Sequence, residues 1–145
     1  RSDPVLGLET VIWVFALVWA ADTGAYGFGT VIGGPKLAPA ISVKKTWAGL
    51  AGAILCSGLI GAMAATILEM EGWLQITAIS VVIGIVSQAG DLVESRIKRH
   101  FGKKDTSGLI PGHGGLLDRI DGLLAASLVV GVISATEAGS VLQWV

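Results

Sequence analysis

The sequence predicts an all-α membrane protein, a polytopic bundle of about four transmembrane helices. Composition is the first reason. Hydrophobic residues make up 52% of the 145-residue chain and charged residues 14%, against about 25% charged in soluble domains. Mean hydropathy is +0.74. The second reason is grouping: the apolar residues fall into blocks that approach the roughly 20 residues a helix needs to cross a bilayer. The third is that charge collects between the blocks, as expected where charge inside lipid is costly.

The first block runs from about Val5 to Ala21, carries Glu9 and is closed by Asp22. The second runs from about Trp47 to Leu68 and contains Gly49, Gly52, Gly58 and Gly61. Small residues at such spacings let helices approach closely in lipid. They serve internal packing or a homodimer contact equally well. The third block runs from about Trp73 to Gly90, and the fourth from about Ile120 to Thr136. Trp47 and Trp73 stand at block ends, where interfacial aromatics belong. The chain begins RSDP without an initiating Met, so it is expected to be part of a larger membrane protein. The first block lacks the cleavage pattern of a signal peptide.

Cys56 is the lone cysteine, which excludes a disulfide within the chain and a cysteine-based zinc site. Net charge is −1 and excludes nothing; its distribution says more. Lys36, Lys44 and Lys45 lie between the first two blocks. Arg96, Lys98, Arg99, Lys103 and Lys104 follow the third, and Arg119 precedes the fourth. These are nine of the ten basic residues. The positive-inside rule puts both basic loops on the cytoplasmic side, where they can meet. They lack the interleaved aromatics of a nucleic-acid surface, so no nucleic-acid partner is expected.

The chemistry is expected at that boundary. Asp91, Glu94, Ser95 and Lys98 are spaced to share one helix face. Asp118 and Asp121 share a face at the start of the fourth block, and Asp22 ends the first. Carboxylates gathered near lipid are costly unless a cation joins them. Oxygen-only ligands favour a hard ion such as Mg²⁺. Each Asp could instead cap a helix or pair with a neighbouring base. Gly112, Gly114 and Gly115 flank His113, and glycines let backbone N–H groups approach an anion. His113 fits a phosphate donor, a general acid or a loop strut. Lys44 and Lys45 fit phosphate contacts or simple interfacial anchors.

The run Ser95-x-Ile97-Lys98-Arg99-x4-Lys104-Asp105-x5-Pro111-x-His113-Gly114-Gly115-x2-Asp118-Arg119-x-Asp121 resembles, without a gap, the signature of the phosphatidate cytidylyltransferases (CDP-diacylglycerol synthases). A second block, ADTGAYGFGTVIGGPKLAPAISVKKTWAG from Ala21 to Gly49, is similar to the other recurring block of that family. The resemblance covers nearly the whole chain. It implies that residues 1–145 are the C-terminal transmembrane catalytic portion of the enzyme, the family having further N-terminal spans. It also implies transfer of the cytidylyl group of CTP to phosphatidic acid, giving CDP-diacylglycerol and pyrophosphate. Mg²⁺ is implied, with K⁺ as a second ion sharing the site.

The metal ligands so implied are Asp91 and Asp118, and the local reading adds Asp121 and Asp22. Lys45 and Lys98 join Asp91 and Asp118 as expected catalytic residues. Lys44, Ser95, Arg99, Lys104, His113 and Arg119 are the expected substrate-binding residues. Three positions depart from the family pattern: Val43 replaces a proline, Ala48 an acid and Thr30 a basic residue. The expected location is a bacterial inner (cell) membrane, with the site facing the cytoplasm.

Three other classes compete. A membrane structural subunit or lipid-head-group binding module would explain the basic loops but not Asp91, Asp118 and Asp121 together. An ion-coupled transporter also gathers intramembrane Asp residues, but near the bilayer midplane. A CDP-alcohol phosphotransferase also uses clustered Asp and Mg²⁺, but its Asp spacing is absent here.

Overall fold

A computed structural model describes residues 4–102 and 117–136, with side chains described for 7–102 and 120–135. Four helices dominate: α1 (Pro4–Val31), α2 (Trp47–Ile67), α3 (Trp73–His100) and α4 (Leu117–Thr136). Two short strands, β1 (Lys36–Ala38) and β2 (Ser42–Thr46), separate α1 from α2. The all-α membrane class expected from the sequence is present. The stretches Gly7–Val31, Trp47–Ile67 and Trp73–His100 are long and apolar enough to cross a membrane, and α4 contains a shorter apolar helix, Ile120–Ala135. The chain is an integral membrane protein.

The helices outrun the apolar blocks. Apolarity ends near Ala21 and Gly90, yet α1 continues to Val31 and α3 to His100. Asp22 therefore does not close α1; it sits about two and a half turns inside it. Hydropathy marks where lipid-compatible sequence stops, whereas helix ends follow local backbone chemistry. The chain leaves α1 through Gly33 and Gly34, whose φ angles are +65° and +90°. Side chains rarely adopt that left-handed backbone. Pro35 then leads into β1.

The β1–β2 hairpin was not expected. Its strands pair antiparallel, with Lys36 opposite Thr46 and Ala38 opposite Ser42. The Trp47 N–H donates to the Pro35 carbonyl at 3.1 Å, closing the hairpin onto the start of α2. Thr46 is buried and its Oγ1 accepts from the Gly49 N–H at 3.0 Å. That side chain caps α2 and satisfies a donor that helix geometry leaves unpaired.

Packing follows chain order, α1 on α2, α2 on α3 and α3 on α4, with α1 also touching α3 and α4. Trp13, Val14, Leu17 and Val18 of α1 share a buried cluster with Ile76 and Ile83 of α3 and Ala126 and Val130 of α4. Where α1 crosses α2, Gly24 and Gly52 meet so closely that a Cβ on either would lie 2.5 Å from the other's carbonyl oxygen. Gly49 and Gly61 of α2 are buried against Ala25 of α1 and against Thr77 and Ser80 of α3, respectively. Those glycines are thus used within the bundle. Large side chains such as Trp19, Leu59, Met63 and Leu74 face outward, as lipid permits. Ser57, Ser80 and Ser87 are buried between helices.

Candidate active site

One cavity of about 450 Å³ draws on three parts of the chain: α1 through Asp22 and Tyr26, the hairpin through Lys44 and Lys45, and α3 through Gln88, Asp91, Glu94 and Lys98. Asp121 of α4 completes it. Its volume lies within the range of small-molecule sites, about 300–1,000 Å³. The continued helices explain its position. Beyond the apolar part of α3, Asp91, Glu94 and Lys98 share the cavity with Lys44 and Lys45 of the hairpin and with Asp22 and Tyr26 of α1, so described members of the two basic regions expected from the sequence meet there.

Lys45 is the hub. Its Nζ lies 2.7 Å from Asp91 Oδ2 and donates to the backbone carbonyl of Gln88 at 3.1 Å and to Gln88 Oε1 at 3.2 Å. Gln88 Nε2 donates to Asp22 Oδ1 at 2.8 Å. A polar chain thus runs Asp22–Gln88–Lys45–Asp91. Ser95 Oγ donates to Asp91 Oδ1 at 3.4 Å, one helical turn on. Lys98 and Glu94 pair in the same way, with Nζ 3.0 Å from Oε2.

Asp91, Glu94 and Asp121 form a second group. One carboxylate oxygen from each lies within 4.8 Å of the others. Both Glu94 oxygens are buried and accept no hydrogen bond, so the Lys98 ammonium is near Oε2 without being aligned to it. Asp121 Oδ1 accepts from the Gly122 N–H at 2.7 Å. Three converging carboxylates fit a hard divalent cation, which takes oxygen ligands and offsets their mutual repulsion.

The structure therefore brings together Asp22, Lys44, Lys45, Asp91, Lys98 and Asp121 of the expected site residues, with Ser95 bonded to Asp91. Arg99 is exposed and does not line the cavity. Asp22 lies in the polar chain rather than in the three-carboxylate group. Asp118 and Arg119 occupy the first turn of α4, with side chains outside the described set; Lys104 and His113 lie outside the described residues. Gln88 was missed, and Glu94 was seen on the helix face without a site role. The available signal was spacing: Gln88, Asp91, Glu94 and Lys98 recur every three or four residues, one face of α3. Thr30, one departure from the family pattern, turns its hydroxyl to the Tyr26 and Gly27 carbonyls of its own helix.

A second cavity of about 410 Å³ lies between α3 and α4. Val86, Val93, Ile97, Leu124 and Leu128 give it an apolar wall, and Glu94 and Asp121 are common to both cavities.

Comparison with known proteins bears on this geometry. The phosphatidate cytidylyltransferase of Brucella suis biovar 1 is 43% identical over 138 residues, covering 95% of this chain and 51% of that protein. That of Staphylococcus epidermidis is 46% identical over 120 residues, covering 81% and 46%. That of Staphylococcus haemolyticus is 42% identical over 126 residues, covering 86% and 47%. The chain spans about half the length of these curated relatives. A model of the cytidylyltransferase family matches residues 1–136, nearly the whole chain, and the chain belongs to that family.

Proposed function

We propose that this chain carries the active site of a phosphatidate cytidylyltransferase, which transfers the cytidylyl group of CTP to phosphatidic acid and releases pyrophosphate. The observation that carries the reading is the juxtaposition of the two cavities. One presents lysines and carboxylates, the other is apolar, and Glu94 and Asp121 stand on the boundary. A phosphorylated lipid has that polarity: a headgroup for the charged cavity and acyl chains for the groove and the bilayer. The relatives' name, phosphatidate cytidylyltransferase, supports a phosphatidate acceptor and a cytidylyl donor.

The reaction joins two anions. A phosphatidate phosphate oxygen attacks the α-phosphorus of CTP. The bond from that phosphorus to the α–β bridging oxygen breaks, and pyrophosphate leaves with the electron pair. The nucleophile is already ionised, so a strong general base is not needed. The obstacle is repulsion, and fixed positive charge lowers it. Lys45 and Lys98, both in the cavity wall, are placed to stabilise charge gathering on the leaving group; exposed Lys44 suits the entering triphosphate.

Asp91, Glu94 and Asp121 are the described residues suited to hold Mg²⁺, with Asp118 one turn before Asp121 on α4. The ion, when bound, supplies neutralisation and alignment of the phosphates. A second ion such as K⁺ would share that site, with Asp22 joined to it through Gln88 and Lys45. The basic residues collect at the cavity end, which supports a cytoplasmic site, and the relatives' organisms support a bacterial cell membrane.

The test is pyrophosphate release by the full-length, detergent-solubilised protein. Release that requires CTP, phosphatidic acid and Mg²⁺ together is expected. No release from folded protein sinks the reading.

A further inference from the structure

Gln88 is buried, with 6% of its surface exposed, and both ends of its amide are engaged. Its Nε2 donates to Asp22 Oδ1 at 2.8 Å, and its Oε1 accepts from Lys45 Nζ at 3.2 Å. The Gln88 backbone carbonyl accepts from the same ammonium at 3.1 Å. Lys45 thus has two acceptors from one residue on one side and Asp91 Oδ2, at 2.7 Å, on the other. An ammonium has three donors, so this geometry accounts for all of them.

The arrangement matters because Asp91 also faces Glu94 and Asp121, with donor oxygens mutually within 4.8 Å. Held by Asp91 alone, the ammonium would be drawn into the carboxylate group that suits a cation. The Gln88 oxygens hold it against the cavity wall instead. The amide dipole also matches its neighbours in sense, with the donor end toward a carboxylate and the acceptor end toward an ammonium.

We propose that Gln88 is a positioning residue for Lys45, linking α1, β2 and α3 so that the Lys45 ammonium stays beside the three-carboxylate group without entering it. The kinetic consequence rests on the transfer reaction proposed above; the placement of the amine rests on the geometry alone. Gln88 itself touches no reacting atom in this account. Its role passes through Lys45.

Two measurements on the full-length protein separate these claims. The first is trace acetylation of lysines by a water-soluble anhydride, read residue by residue by mass spectrometry, with exposed Lys44 as the internal reference. Lys45 should label about tenfold more slowly than Lys44, because acylation must first free its amine from Asp91 and Gln88. Gln88→Leu and Gln88→Asn, which remove or withdraw Oε1, should each narrow that gap about threefold or more. Gln88→Glu keeps an acceptor at that place and should retain the protection. The Asn variant guards against a Leu variant that does not fold.

Equal labelling of Lys44 and Lys45 in the unsubstituted protein overturns the proposal. So does protection unchanged in the Leu and Asn variants. The second measurement is steady-state transfer. Gln88→Asn should lower kcat about tenfold and leave KM for phosphatidate within about twofold, the pattern of a lost transition-state contact. A kcat equal to that of the unsubstituted protein overturns the kinetic consequence. Absence of transfer in the unsubstituted protein would sink the reaction assignment and leave the labelling result to decide the geometry.

Discussion

Lys45 Nζ and Asp91 Oδ2 stand 2.7 Å apart, with the lysine on a hairpin strand and the carboxylate on a helix 46 residues later in the chain. The lysine side chain is 15% exposed and the carboxylate 40%. The pair is therefore neither a solvated surface bridge nor a fully buried one. It sits where the two halves of the proposed chemistry, positive charge for phosphate and carboxylate for a cation, touch.

Removing either member should abolish turnover for different reasons. Lys45→Ala removes positive charge near the leaving group, and losing one such electrostatic contact typically costs about 100- to 1,000-fold in kcat. Lys45→Arg should not restore it, because a planar guanidinium cannot reproduce the three directions an ammonium uses here. Asp91→Ala should remove turnover at every Mg²⁺ concentration. Membrane insertion should be unaffected in all three. Full turnover in Lys45→Ala or Asp91→Ala would falsify the site assignment.

Much of this arrangement is legible in the sequence. The apolar blocks gave the number of long helices, and the acidic spacing on α3 put Asp91, Ser95 and Lys98 on one face. Lys44 and Lys45 were legible as the basic residues of one loop facing a second. The hairpin was not, because Lys36–Ala38 and Ser42–Thr46 are too short to show alternation, and the turn that joins them, closed by the Ile41 N–H donating to the Ala38 carbonyl at 3.0 Å, contains no glycine to mark it. Gln88 stayed hidden because a lone amide in an apolar run has no charge to mark it. Its role emerges only when α1 and β2 arrive beside it.

Glu94 should govern the metal requirement. Its two oxygens are buried and accept no hydrogen bond, its charge is met among the described residues only by the Lys98 ammonium beside Oε2, and one of its oxygens faces the other carboxylates of the group. Glu94→Gln keeps the size and removes the charge. The Mg²⁺ concentration for half-maximal activity should rise about tenfold, as loss of one carboxylate ligand weakens a hard-ion site. Titration of the chelator-stripped protein measures this, and an unchanged midpoint would remove Glu94 from the ligand set.

Thr46 should matter for stability more than for chemistry. Its hydroxyl caps α2 through Gly49 and is buried at the hairpin junction. Thr46→Val preserves shape and deletes the cap, at a cost of about 1–2 kcal/mol. Thermal unfolding in detergent should shift downward. An unchanged midpoint would mean that the Trp47–Pro35 backbone bond fixes the junction unaided.

The α1–α2 crossing should not tolerate a side chain. A Cβ at Gly52 would lie 2.5 Å from the Gly24 carbonyl oxygen and 2.7 Å from Phe28 side-chain atoms. Backbone cannot yield as a flexible side chain can, so Gly52→Val should cost at least about 1–3 kcal/mol. Because Asp22 and Tyr26 lie on the same stretch of α1, separating the helices should also widen the cavity and raise KM for CTP. Gly58→Ala is the control. A Cβ there meets only Val81 and Thr77 side-chain carbons at 3.4 Å and beyond, and both stability and KM should hold. Equal behaviour of the two variants would show that close approach at Gly52 is not what sets the crossing.

The apolar groove gives a separable prediction for the lipid. Leu128 is 68% exposed and lines the groove between α3 and α4, away from the charged cavity. Leu128→Trp fills part of that groove and replaces no residue of the charged cavity. If an acyl chain lies there, KM for phosphatidate should rise about fivefold, the equivalent of about 1 kcal/mol of lost uniform binding. KM for CTP and kcat at saturating lipid should not change. Assays with short-chain phosphatidates should shrink the difference, because a chain that ends before Leu128 no longer meets the added ring. A rise in both KM values would point instead to a general distortion of α4, and no rise in either would place the acyl chains on another face of the bundle.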